Sequence, residues 1–166
     1  MKILYLAQIR LPTEKAHGIQ IMKTCEAFAE QGAEVVLVVP SHRGDIRQDP
    51  FEYYRVKRNF KIKYMYCPDL IRFGKFGFTI MNIWFSQFCA HYVWKQHPDI
   101  VYSRDYFLLF DQLIFPHKKI WEIHDGIWNI CIDKMRIAGI VTISQGLKEI
   151  KKKKGKKDIV VAHDAV

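Results

Sequence analysis

Residues 1–40 read MKILYLAQIRLPTEKAHGIQIMKTCEAFAEQGAEVVLVVP. The run KILYLA at 2–7 is almost wholly apolar, without alternation, which is the pattern of a strand buried on both faces of a parallel sheet. A polar loop occupies 10–17. From Gly18 the period changes: Ile21, Met22, Cys25, Phe28 and Ala29 fall on one helical stripe, while Lys23, Glu26 and Glu30 lie off it. Gly32 stands where a helix should end, because glycine enters the left-handed backbone region at least cost. EVVLVV at 34–39 is then a second buried strand, closed by Pro40. Strand, helix and strand in this succession form a βαβ unit, whose crossover is right-handed.

The alternation continues outward from that unit. Strands are predicted at 61–66, 99–103, 120–123, 139–144 and 158–163, and helices over 78–95, 105–115 and 145–153. About seven mostly parallel strands give an α/β fold: a Rossmann-like, doubly wound sheet with helices on both faces. No internal repeat or interdomain linker interrupts it, so 1–166 reads as one domain. The apolar stretch from Phe78 is broken by Asn82, Ser86, Gln87 and His91, and falls short of the ~20 residues a spanning helix needs.

Composition narrows the class of protein. Apolar residues make up 49% and aromatics 14%, which excludes a disordered chain. The net charge of +9, from 26 Lys+Arg against 17 Asp+Glu, favours an anionic partner: a membrane surface, a nucleotide-linked substrate or nucleic acid. Its cations cluster at 55–63, 72–75 and 151–157, the last reading as an exposed helix end closed by Gly155. No helix-turn-helix, zinc-finger or RRM pattern accompanies them, so nucleic acid is not expected, though a basic nucleic-acid-binding domain stands as an alternative. Cys25, Cys67, Cys89 and Cys131 form no C-x-x-C pair and sit among apolar residues, as buried thiols do. With only five apolar residues after Lys2, the start is no signal-peptide core, and a reduced, cytoplasmic setting follows.

Chemistry in an open parallel sheet belongs at the carboxyl ends of its strands. The loop 8–20 has one glycine where a dinucleotide fingerprint needs three, and it lacks the P-loop pattern. Gly18 nevertheless opens a helix, whose backbone N–H groups and dipole can hold a phosphate; a plain turn with a glycine easing helix entry accounts for it equally well. In Trp121-Glu122-Ile123-His124-Asp125, alternation puts Trp121 and Ile123 on one face and Glu122 and His124 on the other. His124 leaves the strand at the crevice, able to donate to a substrate hydroxyl or to bond a neighbouring backbone group. No nucleophile elbow supports a triad. None of the histidines has metal-ligand spacing, so no metal is expected. In Tyr102-Ser103-Arg104-Asp105, Arg104 either faces an anion in the crevice or pairs with Asp105 or Asp111; the pairing is the expectation.

Taken in order, these residues resemble the N-terminal domain of family-4, GT-B-type glycosyltransferases. Pro12-Thr13-Glu14-Lys15-Ala16-His17-Gly18-Ile19-Gln20 within 2–40 is the first landmark, and Glu122-Ile123-His124 at a central strand end the second. Val141-Thr142-Ile143-Ser144-Gln145-Gly146-Leu147-Lys148 and the terminal His163-Asp164-Ala165-Val166 are the third and fourth. The resemblance spans the chain, and the order of the landmarks is its specific part. It implies one half of a GT-B fold, the acceptor-side domain 1–166, without the C-terminal nucleotide-sugar domain. That domain would then act in cis or in trans. It further implies transfer of a sugar, with retention, from a nucleotide-sugar donor to a sugar or lipid-linked acceptor, with no cofactor. His17 and Gly18 would approach the donor diphosphate, and His124 would orient the transferred sugar. Arg104, Glu122 and Ser144 would stand at the cleft, Ser144 capping the following helix. The fold alone also suits a free-standing nucleotide-binding module. The basic, aromatic-rich segment 53–94 is either an acceptor- or membrane-facing region, at the inner face of the membrane, or a solvated basic loop over a core helix.

Overall fold

The structure, a computed structural model, describes residues 1–42, 44, 46–112, 114–123, 137–142 and 159–162. Within them lie β1 (Lys2–Leu6), α1 (Ala16–Glu30), β2 (Glu34–Pro40), α2 (Pro50–Tyr53) and β3 (Lys61–Met65). A 3-10 turn (Ile71–Phe73) then leads into α3 (Gly74–Gln96), followed by β4 (Ile100–Ser103), α4 (Tyr106–Phe110), β5 (Lys118–Ile123), β6 (Ile137–Thr142) and β7 (Ile159–Val161). The strands form one sheet in the order β3-β2-β1-β4-β5-β6-β7, and every neighbouring pair is parallel. The chain winds outward from β1 to β3, then returns along α3 to lay β4 on the other side of β1. That reversal opens a crevice between the carboxyl ends of β1 and β4.

Two apolar layers sandwich the sheet, as the two-face burial of its strands requires. Leu4, Leu6, Val36, Val38, Val101, Trp121 and Ile123 face α3 and α4, packing on Met81, Phe85, Cys89, Val93, Leu108 and Leu109. Ile3, Tyr5, Val35, Leu37, Val39 and Tyr102 face α1, packing on Ile21, Met22 and Cys25. Cys25, Cys67 and Cys89 are free and buried, as their apolar neighbourhoods imply, while Cys131 lies outside the described residues. Gly32 has φ +84° just beyond α1, and its N–H bonds the Ala29 carbonyl, so the predicted helix stop is in place.

The departures from the sequence reading are local. α1 begins at Ala16, two residues before Gly18, so Gly18 sits within the first turn. Helix α4 stops at Phe110, where a helix to 115 was expected. The aromatic segment 53–94 divides: Tyr54 and Phe60 turn into the α1-side core, while Tyr64, Phe73 and Phe76 are exposed. The predicted helix 145–153, the lysine run 151–157 and the terminal landmark 163–166 lie outside the described residues.

Candidate active-site cleft

The crevice at the strand reversal is a cleft of about 590 Å³. Gln8 beyond β1 forms one side, and Arg104, Asp105, Tyr106 and Phe107 beyond β4 form another. Trp121, Glu122 and Ile123 at the end of β5, with Phe78 and Asn82 from α3, complete it. The walls are braced across the switch point. Gln8 N–H donates to Asp105 Oδ2 at 3.0 Å, and the Gln8 amide donates to Asn82 Oδ1. Ser103 Oγ donates to the Leu6 carbonyl at 2.8 Å and accepts from Asp105 N–H at 3.0 Å. Trp121 Nε1 donates to the Arg104 carbonyl at 3.1 Å. Arg104 therefore leaves β4 on a backbone fixed from β1 and β5, the strands on either side.

Behind the cleft lies a buried polar network. Glu122 is 4% exposed, and its carboxylate accepts from Tyr102 Oη at 2.7 Å, Tyr5 Oη at 3.2 Å and Gln20 Nε2 at 3.0 Å. A carboxylate can be buried at tolerable cost only when hydrogen bonds replace its water. Gln20 also accepts from Arg104 Nη1 at 3.3 Å, so one amide links the cation of the cleft to the carboxylate behind it. The Tyr5 and Tyr102 rings pack tilted by 43° with centroids 4.8 Å apart, and Phe28 is edge-on to Tyr102 at 5.3 Å. Burial raises the Tyr5 and Tyr102 hydroxyl pKa values well above the usual phenol range; Glu122 adds to the rise and Arg104 opposes it. Both phenols stay protonated donors, which keeps Glu122 bound as an acceptor.

Arg104 corrects the sequence expectation. Asp105 is turned toward Gln8, and Asp111 accepts from Ser86 Oγ and from Gln87 at 3.2 Å. Among the described residues neither carboxylate forms an ion pair with Arg104, whose guanidinium borders the cleft beside Gln20. Glu122 lies on the face opposite Trp121 and Ile123, as alternation predicted.

The first loop is held differently. Tyr54 Oη accepts from Thr13 N–H and donates to the Thr13 carbonyl, both at 2.7 Å, pinning the loop to the segment after α2. A Cβ at Gly18 would lie 2.2 Å from Tyr54 Oη and 2.7 Å from Thr13 Cγ2, so this close approach by itself requires glycine. His17 is half-buried one turn before Gln20; neither His17 nor Gly18 lines the cleft. His124 and Ser144 lie outside the described residues. Among the described residues no group of three or more His, Cys, Asp or Glu side chains is placed to hold a metal ion.

Gln8, Gln20, Asn82 and the Tyr5–Tyr102 pair were not singled out in the sequence. Their only sequence signal is position: Gln8 follows a strand end, and Tyr5 and Tyr102 sit at matching places in two buried strands, which face each other once β4 is known to join β1.

No family model matches the sequence, and no curated protein matches it. Solved structures do match in fold. UGT73P12 of Glycyrrhiza uralensis, in complex with glycyrrhetinic acid 3-O-monoglucuronide, superposes with a TM-score of 0.64 at 12% identity, over 96% of this chain and 48% of its own. The lipopolysaccharide outer core galactosyltransferase WaaB matches with a TM-score of 0.61 at 16% identity, over 100% of this chain and 46% of its own. A putative UDP-N-acetylglucosamine 2-epimerase from Listeria monocytogenes matches with a TM-score of 0.62 at 13% identity, over 95% and 43%. The chain spans just under half the length of each. At such identities the likeness is one of fold: a Rossmann-like α/β domain equivalent to one half of a GT-B molecule.

Proposed function

We propose that this chain is the acceptor-side half of a GT-B glycosyltransferase, transferring a sugar from a nucleotide-sugar donor to an acceptor hydroxyl. A second α/β half, in cis or in trans, would close the donor pocket. The supporting observation is the cleft at the strand reversal, with a cation, Arg104, at its edge that forms no ion pair among the described residues. A nucleotide diphosphate or an anionic acceptor brings the charge that Arg104 would meet. Family-4 membership and retention of anomeric configuration rest on the four ordered sequence landmarks. The cytoplasmic setting rests on the sequence as well.

In this reading the chain's residues position rather than react. Glu122 is held by two phenols and an amide behind the cleft, an arrangement suited to fixing Gln20 and Arg104, and not to attack on a sugar. The backbone N–H groups at the start of α1, around His17 and Gly18, would approach the diphosphate, favoured by the helix dipole. His124, next along the chain from the cleft residue Ile123, would hydrogen-bond the transferred sugar. Rate enhancement would come from orientation and from stabilising charge on the leaving diphosphate.

Amide NMR of the chain titrated with UDP, GDP and their sugar conjugates tests this. The reading expects selective shifts at His17, Gly18 and Arg104, weakened at least about tenfold by Arg104→Gln, since a charge-assisted contact contributes about 1.5–3 kcal/mol. Absence of any shift there at millimolar ligand would sink the donor-facing assignment. Complete sugar transfer by the chain alone would refute its being half of the catalytic unit.

A further inference from the structure

The inner side of α3 is accounted for: Met81, Phe85, Cys89 and Val93 recur at helical spacing and are buried against the sheet. Its outer side carries the exposed polar residues Gln87 and His91, but most of its exposed side chains are large and apolar, where a surface helix should be polar. Phe76, Ile83, Trp84, Phe88 and Trp94 project there, with Phe76 74% and Trp94 54% exposed. By helical spacing Phe76, Ile83 and Trp94 fall in one row along α3, and Trp84 and Phe88, their rings 5.6 Å apart, form a second row beside it. Large exposed apolar side chains gathered in this number along one helix mark an interaction site.

Charge tells which kind. From residue 70 to 98 there is no Asp or Glu, while Arg72, Lys75 and Lys95 lie at the two ends of the helix. Lys61 and Lys63 on edge strand β3 pair in register with Val36 and Val38, whose side chains face α3. They therefore add exposed cations to the same side of the sheet. Arg72 lies over the exposed Phe73 ring at 4.8 Å, a cation and an aromatic at one level. Two copies packed through this face would bring like charges together with no carboxylate on α3 to offset them. An anionic surface that also accepts aromatic rings answers both features.

We infer that the outer face of α3, rimmed by Arg72, Lys75, Lys95, Lys61 and Lys63, docks on an anionic lipid bilayer. The helix lies flat, its Trp and Phe rings at the headgroup level where such rings are favoured and its cations against the lipid phosphates. Among the described residues no helix is long and apolar enough to cross a membrane, so this is surface attachment through α3. Phe78 and Asn82, which line the cleft, share the inner side of α3 with Phe85 and Cys89, so the cleft and the docking face lie on different sides of the helix. The inference stands on α3 itself and does not depend on sugar transfer.

The test is flotation of the 166-residue chain with phosphatidylcholine vesicles and with vesicles containing about a third phosphatidylglycerol, at low and high salt. Binding is expected to the anionic vesicles only, falling as salt rises, with tryptophan emission moving to shorter wavelength. Trp84→Ser combined with Phe88→Ser and Trp94→Ser should lower the partition coefficient at least tenfold. Arg72→Gln with Lys75→Gln touches no buried residue and should lower it about tenfold. Urea midpoints near the parent's would show that both variants still fold. No binding at low salt, or binding indifferent to both variants, overturns the inference. So does lipid-free self-association in sedimentation that the aromatic substitutions abolish, which would assign the face to a second copy.

Discussion

Gly18 is where packing and ligand binding make different demands on one residue. Tyr54 Oη sits 2.2 Å from where a Cβ would be, and the same hydroxyl both donates to and accepts from the Thr13 backbone. Gly18→Ala should therefore destabilise the chain by about 1–3 kcal/mol, as overpacking does. Tyr54→Phe leaves the buried Thr13 N–H without its acceptor and should cost about 1–3 kcal/mol. The double variant should lose less than the two singles together, because the missing hydroxyl makes room for the methyl. Urea denaturation of the four proteins measures this; strict additivity would show that the crowding is relieved elsewhere. The glycine was visible in the sequence but its reason was not. Tyr54 is 36 residues further on, in a stretch whose lysines and arginines suggested an exposed loop. Arg104 was obscured in the same way. Asp105 and Asp111 are near it in sequence, yet Gln8, Ser86 and Gln87 take those carboxylates from elements that only the tertiary fold brings close.

At the scale of elements, legibility followed length and burial. Each of the seven predicted strands is present, because an apolar run bounded by turn residues survives whatever packs on it. Helix α2, four residues long, is too short to show a period. Its signal is instead a cap: Asp49 Oδ1 accepts from Phe51 N–H at 2.9 Å and Glu52 N–H at 3.3 Å, with Pro50 supplying the first-turn backbone. Asp49→Ala should cost about 1 kcal/mol and speed hydrogen exchange at the Phe51 and Glu52 amides. The junction before α3 is tighter. A Cβ at Gly77 would lie 1.9 Å from the Leu70 carbonyl, so Gly77→Ala must push the 3-10 turn away from α3. Since the turn carries Arg72 and Phe73, that variant should weaken anionic-vesicle binding while hydrogen exchange in β1 and β4 stays slow. Faster exchange throughout the sheet would instead mean that the turn supports the core.

At the scale of the molecule, the core holds protons that the unfolded chain would release. Burial pushes the Cys25 and Cys89 thiols well above their usual range, and it does the same to the Tyr5 and Tyr102 phenols, with Glu122 adding to the effect on Cys25 and both tyrosines. A group with a raised folded pKa contributes stability that is complete below its unfolded pKa and lost as pH climbs toward the folded one. The loss should therefore begin near pH ~8.5, as unfolded thiols ionise, and steepen above pH ~10, as unfolded phenols join them. Each retained proton adds about 1.4 kcal/mol per pH unit to the slope. On the acid side the sign reverses. Burial, the largest influence on each, lowers the His42 and His117 pKa values, so their contribution is present above pH ~6.5 and fades below it. Stability should thus peak between these limits. Tyrosinate absorbance followed through an alkaline titration should show Tyr5 and Tyr102 ionising only together with loss of near-UV circular dichroism. Tyr102→Phe should make the slope above pH ~10 shallower by one proton, while leaving Glu122 with one donor fewer and the protein less stable at neutral pH. Ionisation of both phenols in a chain still folded would show that the Glu122 network is open to water, and the cleft would then lack the rigid back wall on which Arg104 depends.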